Sequence, residues 1–306
     1  MLRSFQDVLR KAKELEQEIT ISVAAAQDRD VLLAIKAAQD MGLGKAILVG
    51  DANLIKPLMI EIGLSLDTPI LHEPDMSKVG LAAIALVRQG RAQVLMKGLI
   101  NTSDFLRAVL HREEGLRTGR LLSHLACLEI PGEEKVVFLS DGGMNIAPTL
   151  AEKKDILINS LLALHQIGIH CPNVALLAAN EMVSPKMPAT VDAQTLVALG
   201  GSGELPRCII EGPIAMDVAI NPEAGKHKGI TSEIAGKVDL FLVPNIETGN
   251  VACKLLIYFA KAQMAGIVLG ATHPIVLTSR AETPEGKLYS MALACLAASG
   301  MGEGGH

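Results

Sequence analysis

Short aliphatic runs alternate with amphipathic helical patterns along most of the chain, and no other feature restricts its possible folds so tightly. Ile19–Ala26 reads as a strand, Asp30–Met41 as a helix and Ala46–Gly50 as a strand. The rhythm returns with strand Gln93–Met96, helix Thr102–Leu110, strands Leu121–Ile130 and Val136–Ser140, and helix Leu150–Gln166. It continues with strand Val174–Ala178, helix Val191–Ala198, strand Cys208–Glu211 and the apolar run Leu240–Val243. Strands that alternate with helices predict an α/β fold with a largely parallel sheet covered on both faces. PGEEK (Pro131–Lys135), between two strand patterns, is the one clear hairpin signal. A chain of 306 residues allows one large domain or two of ordinary size. No repeat, low-complexity tract or Ser/Gly linker marks a border between them.

Composition narrows the function classes. With five Phe, two Tyr and no Trp, the core has to be built from Ala, Val, Ile, Leu and Met, and no base-stacking platform for nucleic acid is available. A net charge of −5 gives no global attraction to nucleic acid or an acidic membrane, so an anionic ligand needs a local cluster of cations. Cys127, Cys171, Cys208, Cys253 and Cys295 are scattered without CxxC spacing, which argues against structural zinc and a disulfide framework. The first residues, MLRSFQDVLRKAKELEQE, read as a charged amphipathic helix rather than a signal peptide. No apolar run approaches the roughly 18 residues that cross a bilayer. The expectation is a soluble, cytoplasmic protein.

The most informative stretch runs from Leu240 to Lys287. Leu240–Val243 ends in a polar loop with Glu247, Gly249 and Asn250, and a helical pattern follows. It places Val251, Leu255, Leu256, Phe259 and Met264 on one broad face, with Lys254 and Lys261 toward water. Two short aliphatic runs come next, Ile267–Leu269 and Ile275–Leu277, and the second leads into Thr278, Ser279 and Arg280. Ligands of α/β sheets bind outside the carboxyl ends of strands, so both loops are placed for chemistry. A fixed cation beside a hydroxyl suits a phosphate.

These residues resemble the phosphate acetyltransferase and phosphate butyryltransferase family, which moves an acyl group between coenzyme A and inorganic phosphate. MKGLINTSDFLRAVL (Met96–Leu110) is similar to the family's Gly-x-x-x-Thr-x-Asp-x-x-Arg segment, and VVFLSDGGMNIAPT (Val136–Thr149) to its strand ending in Asp-x-x-x-Asn-x-x-Pro. The match covers most of the chain in order and is weakest over the first 90 residues. The resemblance implies two doubly wound α/β domains with an interdomain cleft, as in isocitrate and isopropylmalate dehydrogenases. Residues 1–131 with 271–306 would form the first domain and 132–270 the second. It further implies a homo-oligomer, at least a dimer, that takes acyl-CoA and phosphate as substrates, with no permanently bound cofactor and no metal. Transfer would be direct, in a ternary complex.

The resemblance also distributes roles. Arg280 would clamp phosphate and Ser279 would donate to the acyl-phosphate oxygens; an ion pair and a loop serine are the plainer readings. Arg107 would be a second contact to the phosphoryl group, against its reading as an exposed helix residue beside Asp104, with Thr102 or Ser103 capping that helix. Lys97, Asn101 and Thr102 flank the same loop. Asp141 and Asn145 would line the site, since Gly142 and Gly143 let backbone approach a ligand. Glu247, Gly249 and Asn250 stand at a helix start, a natural anion site, though Asn250 also suits an N-cap. The acetyltransferase pattern has an Asp, read as the base for the coenzyme A thiol, six residues beyond the Ser-Arg arginine. Here that position is Gly286 and the next is Lys287, which leaves Glu282 and Glu285 as nearby acids and Glu285 as the candidate base. The departure favours the butyryl branch over the acetyl branch.

Other readings remain open at this level. Cys127 with His124 would make a covalent dyad, but residues three apart on a strand point to opposite faces. His273 lies close to the Ser-Arg loop in sequence. GKHKG (Gly225–Gly229) could meet coenzyme A phosphates or be a solvated turn. Gly44-Lys45 lacks the other members of a phosphate-binding loop, and GGSGE (Gly200–Glu204) lacks a dinucleotide pattern. A metal- and NAD-dependent dehydrogenase of the same fold would need an Asp-x-x-x-Asp carboxylate site that the chain lacks. A non-catalytic metabolite-binding protein is the last alternative.

Overall fold

The computed structural model describes residues 2–277 and 283–300. The chain divides into two compact units: Ser4–Arg120 with the segment from Ala265 onward, and Leu121–Met264 with the first residues of the chain.

The first unit begins with α1 (Phe5–Lys13), β1 (Thr20–Ala24), α2 (Arg29–Asp40), β2 (Lys45–Gly50), α3 (Ala52–Ile62), β3 (Ile70–His72), α4 (Val79–Arg88), β4 (Val94–Lys97) and α5 (Thr102–Val109). Asp28 and Asp51 accept the first free amides of α2 and α3, which fixes where the chain leaves each strand loop and turns helical. The second unit contains β5 (Ser123–Glu129), β6 (Val137–Ser140), α6 (Leu150–Gln166), β7 (Asn173–Leu177), α7 (Pro188–Gly201), β8 (Ile209–Ile214), α8 (Met216–Ile220), α9 (Pro222–His227), β9 (Leu240–Leu242) and α10 (Ile246–Tyr258). The chain then returns to the first unit through β10 (Gln263–Leu269), β11 (Ile275–Val276) and α11 (Pro284–Ser299).

The strand order in the first unit is β3-β2-β1-β4-β11-β10, parallel except for the β10–β11 pair. In the second unit it is β5-β6-β9-β7-β8, parallel except for the β5–β6 hairpin closed by PGEEK. The α/β expectation therefore holds, and the helices fall where the crossovers of a parallel sheet require them. The second unit's core gathers Leu128, Leu139, Ala175, Ile214, Val218, Ile234, Val238 and Phe241. The first unit buries Val23, Leu48, Leu95, Ile84 and Phe105, and stacks the Phe5 ring on Tyr289 at 4.4 Å between centroids. Among the described residues no helix is long and apolar enough to cross a membrane.

One expected face is reversed. The helical pattern after Leu240–Val243 ends at Tyr258, and Met264 belongs to β10. Its core contacts come from Ala252, Cys253 and Leu256. Val251, Leu255, Tyr258 and Phe259 are 55, 51, 71 and 82% exposed. Gly249 and Cys253 sit on the buried side, so their small side chains let the helix lie close to the sheet, while the larger apolar residues form the outer stripe. The GKHKG turn is also spoken for: Lys226 pairs with Glu223 at 2.6 Å, and Lys228 with Asp217 at 3.0 Å and Glu181 at 3.4 Å.

Phe138 is fully buried in β6, between Cys127 of β5 and Leu240 of β9 in the sheet register. Phe138→Ala removes the ring from this layer and is expected to cost about 3–5 kcal/mol. Urea unfolding should show it as a lower midpoint with an unchanged slope.

Candidate active site

The sequence motifs fold into two loop clusters, one in each unit, both at the carboxyl ends of parallel strands. In the first unit β4 ends at Lys97, which is buried and donates to the Gly98 carbonyl at 3.3 Å. Gly98 N and Leu99 N donate to Ala24 O and Ala25 O at 2.8 and 2.7 Å, tying this turn to the end of β1. A Cβ at Gly98 would lie 2.3 Å from Ala25 O, so only glycine fits there. α5 follows at once. Its N-cap is Asn101, not Thr102 or Ser103, and the Asn101 side chain turns to Asp104 at 3.5 Å instead of capping the backbone. Arg107 is exposed and donates Nη1 to Asp104 Oδ1 at 2.7 Å. Thr102 is exposed in the first helical turn.

Ser279 and Arg280 lie outside the described residues, as does Glu282. Beyond them Thr283 caps α11 by accepting from Gly286 N at 3.1 Å. The position where the acetyl pattern has its Asp is thus a first-turn glycine used in a cap. Glu285 precedes it, exposed; Lys287 follows, buried. His273 has its Nδ1 at 3.1 Å from the Thr272 hydroxyl, and burial lowers its pKa.

The second unit's cluster is built around one buried carboxylate. Asp141, 3% exposed just after β6, accepts from His124 N at 3.0 Å, Gly143 N at 2.8 Å, Met144 N at 2.9 Å and Asn145 Nδ2 at 2.6 Å. Asn145 Nδ2 also donates to Leu122 O at 2.9 Å. The loop then closes in a capping box, with Thr149 and Glu152 exchanging side-chain and backbone bonds at the start of α6. Against it packs the start of α10. A Cβ at Gly249 would lie 2.6 Å from Gly142 Cα, and one at Gly142 would lie 2.9 Å from the Gly249 carbonyl carbon. The two glycines therefore permit backbone-on-backbone contact, which Asn250 holds by donating Nδ2 to Gly142 O at 3.2 Å. Asn250 is inside the helix; the N-cap is Asn245, which accepts from Thr248 N at 3.0 Å. Glu247 stands exposed in the first turn.

The residue that motif reading undervalued is His124. Its ring lies against the loop: a Cβ at Gly143 would come within 3.0 Å of His124 Cγ. Desolvation lowers the pKa of the imidazole below its usual value of 6.5, and the charge of Asp141 opposes that shift without cancelling it. Cys127, three residues on, is fully buried, and its thiol is pushed well above the usual range by burial and then by Glu129, so it is no nucleophile near neutral pH. Among the described residues no group of three or more His, Cys, Asp or Glu could hold a metal ion.

Comparisons with known proteins bear on the family and the fold. The family model described as "Phosphate acetyl/butaryl transferase" matches residues 73–295. A phosphate butyryltransferase of Clostridium acetobutylicum is 45% identical over 97% of this chain and 99% of its own. The crystal structure of a branched-chain phosphotransacylase from Enterococcus faecalis V583 superposes with a TM-score of 0.79 at 33% identity, covering 92% of this chain and 99% of that one. A putative 4-hydroxythreonine-4-phosphate dehydrogenase from Salmonella typhimurium shares the fold, with a TM-score of 0.60 at 14% identity over 92% of this chain and all of its own. The chain belongs to the phosphate acetyl/butyryl transferase family, and is an enzyme of the phosphate acyltransferase type.

Proposed function

We propose that the chain interconverts butyryl-CoA and phosphate with butyryl phosphate and CoA, both substrates being bound at once. A phosphate oxygen attacks the acyl carbonyl carbon, the C–S bond breaks, and the leaving thiolate takes up a proton. The observation that carries this reading is the match to a phosphate butyryltransferase over nearly the full length of both chains. Gly286, in place of the Asp of the acetyl pattern, supports the butyryl branch. Direct transfer is supported by the state of Cys127, the cysteine weighed as a covalent nucleophile, whose thiol burial raises beyond use; burial also pushes Cys208 and Cys253 up to about 11 and Cys295 to about 12.

In this reading Arg280 clamps the phosphate through its planar fork and Ser279 donates to the acyl-phosphate oxygens. Arg107 is the second cation; its pair with Asp104 is exposed, so exchanging that partner for a phosphate costs little. Lys97, Asn101, Thr102, Asp141, Asn145, Glu247, Gly249 and Asn250 are the further residues proposed to contribute to substrate contact. Glu285 is the acid closest in sequence to the Ser-Arg pair among the described residues, and one candidate for handling the thiol proton. No bound cofactor and no metal take part.

A second copy of the chain covers the outer stripe of α10. Val251 and Phe259 lie four residues to either side of Leu255, so an antiparallel two-fold pairing puts Leu255 near the axis and packs Val251 on Phe259 of the second copy. Glu247 at one end of the stripe and Lys261 at the other become complementary in that orientation, as do the helix dipoles.

Three outcomes are expected. Thiol release from butyryl-CoA should require phosphate, be indifferent to added magnesium and NAD, and proceed with higher kcat/KM than release from acetyl-CoA, since each additional buried methylene contributes about 0.8 kcal/mol; a clear preference for acetyl-CoA would refute the butyryl assignment. Arg280→Lys keeps the charge and loses the fork, so kcat/KM should fall at least about a hundredfold, roughly 2.7 kcal/mol, with the fold intact by circular dichroism. Light scattering should give a mass that is a multiple of the 32.3 kDa chain, and Leu255→Glu should break it toward 32.3 kDa.

A further inference from the structure

We infer that the imidazole of His124 is the group that takes the proton from the coenzyme A thiol and returns it to the leaving thiolate. The inference rests on the acyl transfer proposed above and supplies what that reaction lacks. In the direction from acyl phosphate to acyl-CoA, the thiol S–H bond must break as the new C–S bond forms and phosphate departs. The position that carries an Asp in the acetyl pattern is here Gly286, whose amide serves the cap of α11, and the neighbouring Glu285 is exposed.

His124 has the three properties a base needs. Its position is fixed, because its backbone N donates to buried Asp141 at 3.0 Å and its ring is seated on Gly143, where a Cβ would lie 3.0 Å from Cγ and 3.2 Å from Nδ1. Its nitrogens are uncommitted among the described residues. By contrast His72 and His111 use Nδ1 to accept backbone amides at 3.1 Å, His165 has Nε2 2.8 Å from Arg207 O, and His273 has Nδ1 3.1 Å from Thr272. Its charge state is right: desolvation lowers the pKa below 6.5, so the ring is the neutral acceptor at pH 7. Asp141 is the charged group that acts on the ring, and once the proton arrives the same carboxylate steadies the imidazolium. The loop that fixes Asp141 therefore also sets the basicity of His124.

The test is the pH dependence of acyl-CoA formation from butyryl phosphate and CoA. In the wild type, kcat/KM should fall as pH drops through an acid limb whose midpoint lies below 6.5, where the imidazole becomes protonated and stops accepting. His124→Asn keeps polarity and size but does not titrate, so it should lose that limb and at least about a hundredfold of rate at pH 7. Added imidazole should restore His124→Ala, which a merely structural role for the ring would not allow. Glu285→Gln should keep the acid limb, whatever its effect on the rate. Retention of the limb in His124→Asn, no rescue of His124→Ala, or loss of the limb in Glu285→Gln would each overturn the assignment. A wild type that forms no acyl-CoA from these substrates would instead overturn the acyl-transfer reading itself.

Discussion

The second unit's loop cluster depends on a single buried carboxylate. An acidic side chain withdrawn from water is tolerable only when its oxygens are fully hydrogen-bonded, and Asp141 meets that condition with four N–H donors from its own loop and from β5. Each donor belongs to something the site needs. The His124 amide fixes the strand residue that carries the imidazole, the Gly143 and Met144 amides fold the loop, and Asn145 ties it back to Leu122. With the loop so held, Gly142 meets Gly249 backbone to backbone, and the start of α10 is positioned in turn. Removing the carboxylate would free all of these donors together, so the loop behaves as one element rather than as a set of independent contacts.

The parallel sheet sets where such clusters can occur. Within each unit, the strands that run in the common direction deliver their carboxyl ends to one edge of that unit's sheet, and loops at that edge are free to vary while the strands stay buried. Lys97 ends β4, Asp141 follows β6, and the turn into α10 follows β9. Ser279 and Arg280 follow β11 in sequence. Close backbone approach at these ends explains the glycines of the motifs: Gly98 against Ala25, Gly142 against Gly249, Gly143 against His124.

Much of this was legible in the sequence, and the exceptions have physical causes. Strands such as Val136–Ser140 and helix Leu150–Gln166 announce themselves because one is a short aliphatic run and the other is a long stretch of helix formers opened by a capping box. Helices α4 and α11 do not, since they are apolar on nearly every side and a helix buried all round has no period to detect. The α10 stripe was periodic but misassigned: periodicity shows that one face is apolar, not whether the chain's own core or another molecule covers it. Motif spacing singled out Asp141 and Asn250, yet it could not show that Asp141 works inward, as the anchor of its loop. His124 entered only as a partner for Cys127, a pairing that strand geometry disfavours. Its significance arises from Gly143 lying over its ring, a contact across a hairpin that a linear pattern does not record.

The account as a whole turns on phosphate itself being the group that attacks the acyl carbonyl. Phosphate labelled with oxygen-18 at every position, incubated with butyryl-CoA and the enzyme, tests this by mass spectrometry of the product. Attack by phosphate on the acyl carbonyl predicts butyryl phosphate that keeps every label, including the oxygen bridging carbon and phosphorus. A product whose bridging oxygen is unlabelled would mean that the thioester had first been hydrolysed and that a butyrate oxygen had then attacked phosphorus, and would contradict the account.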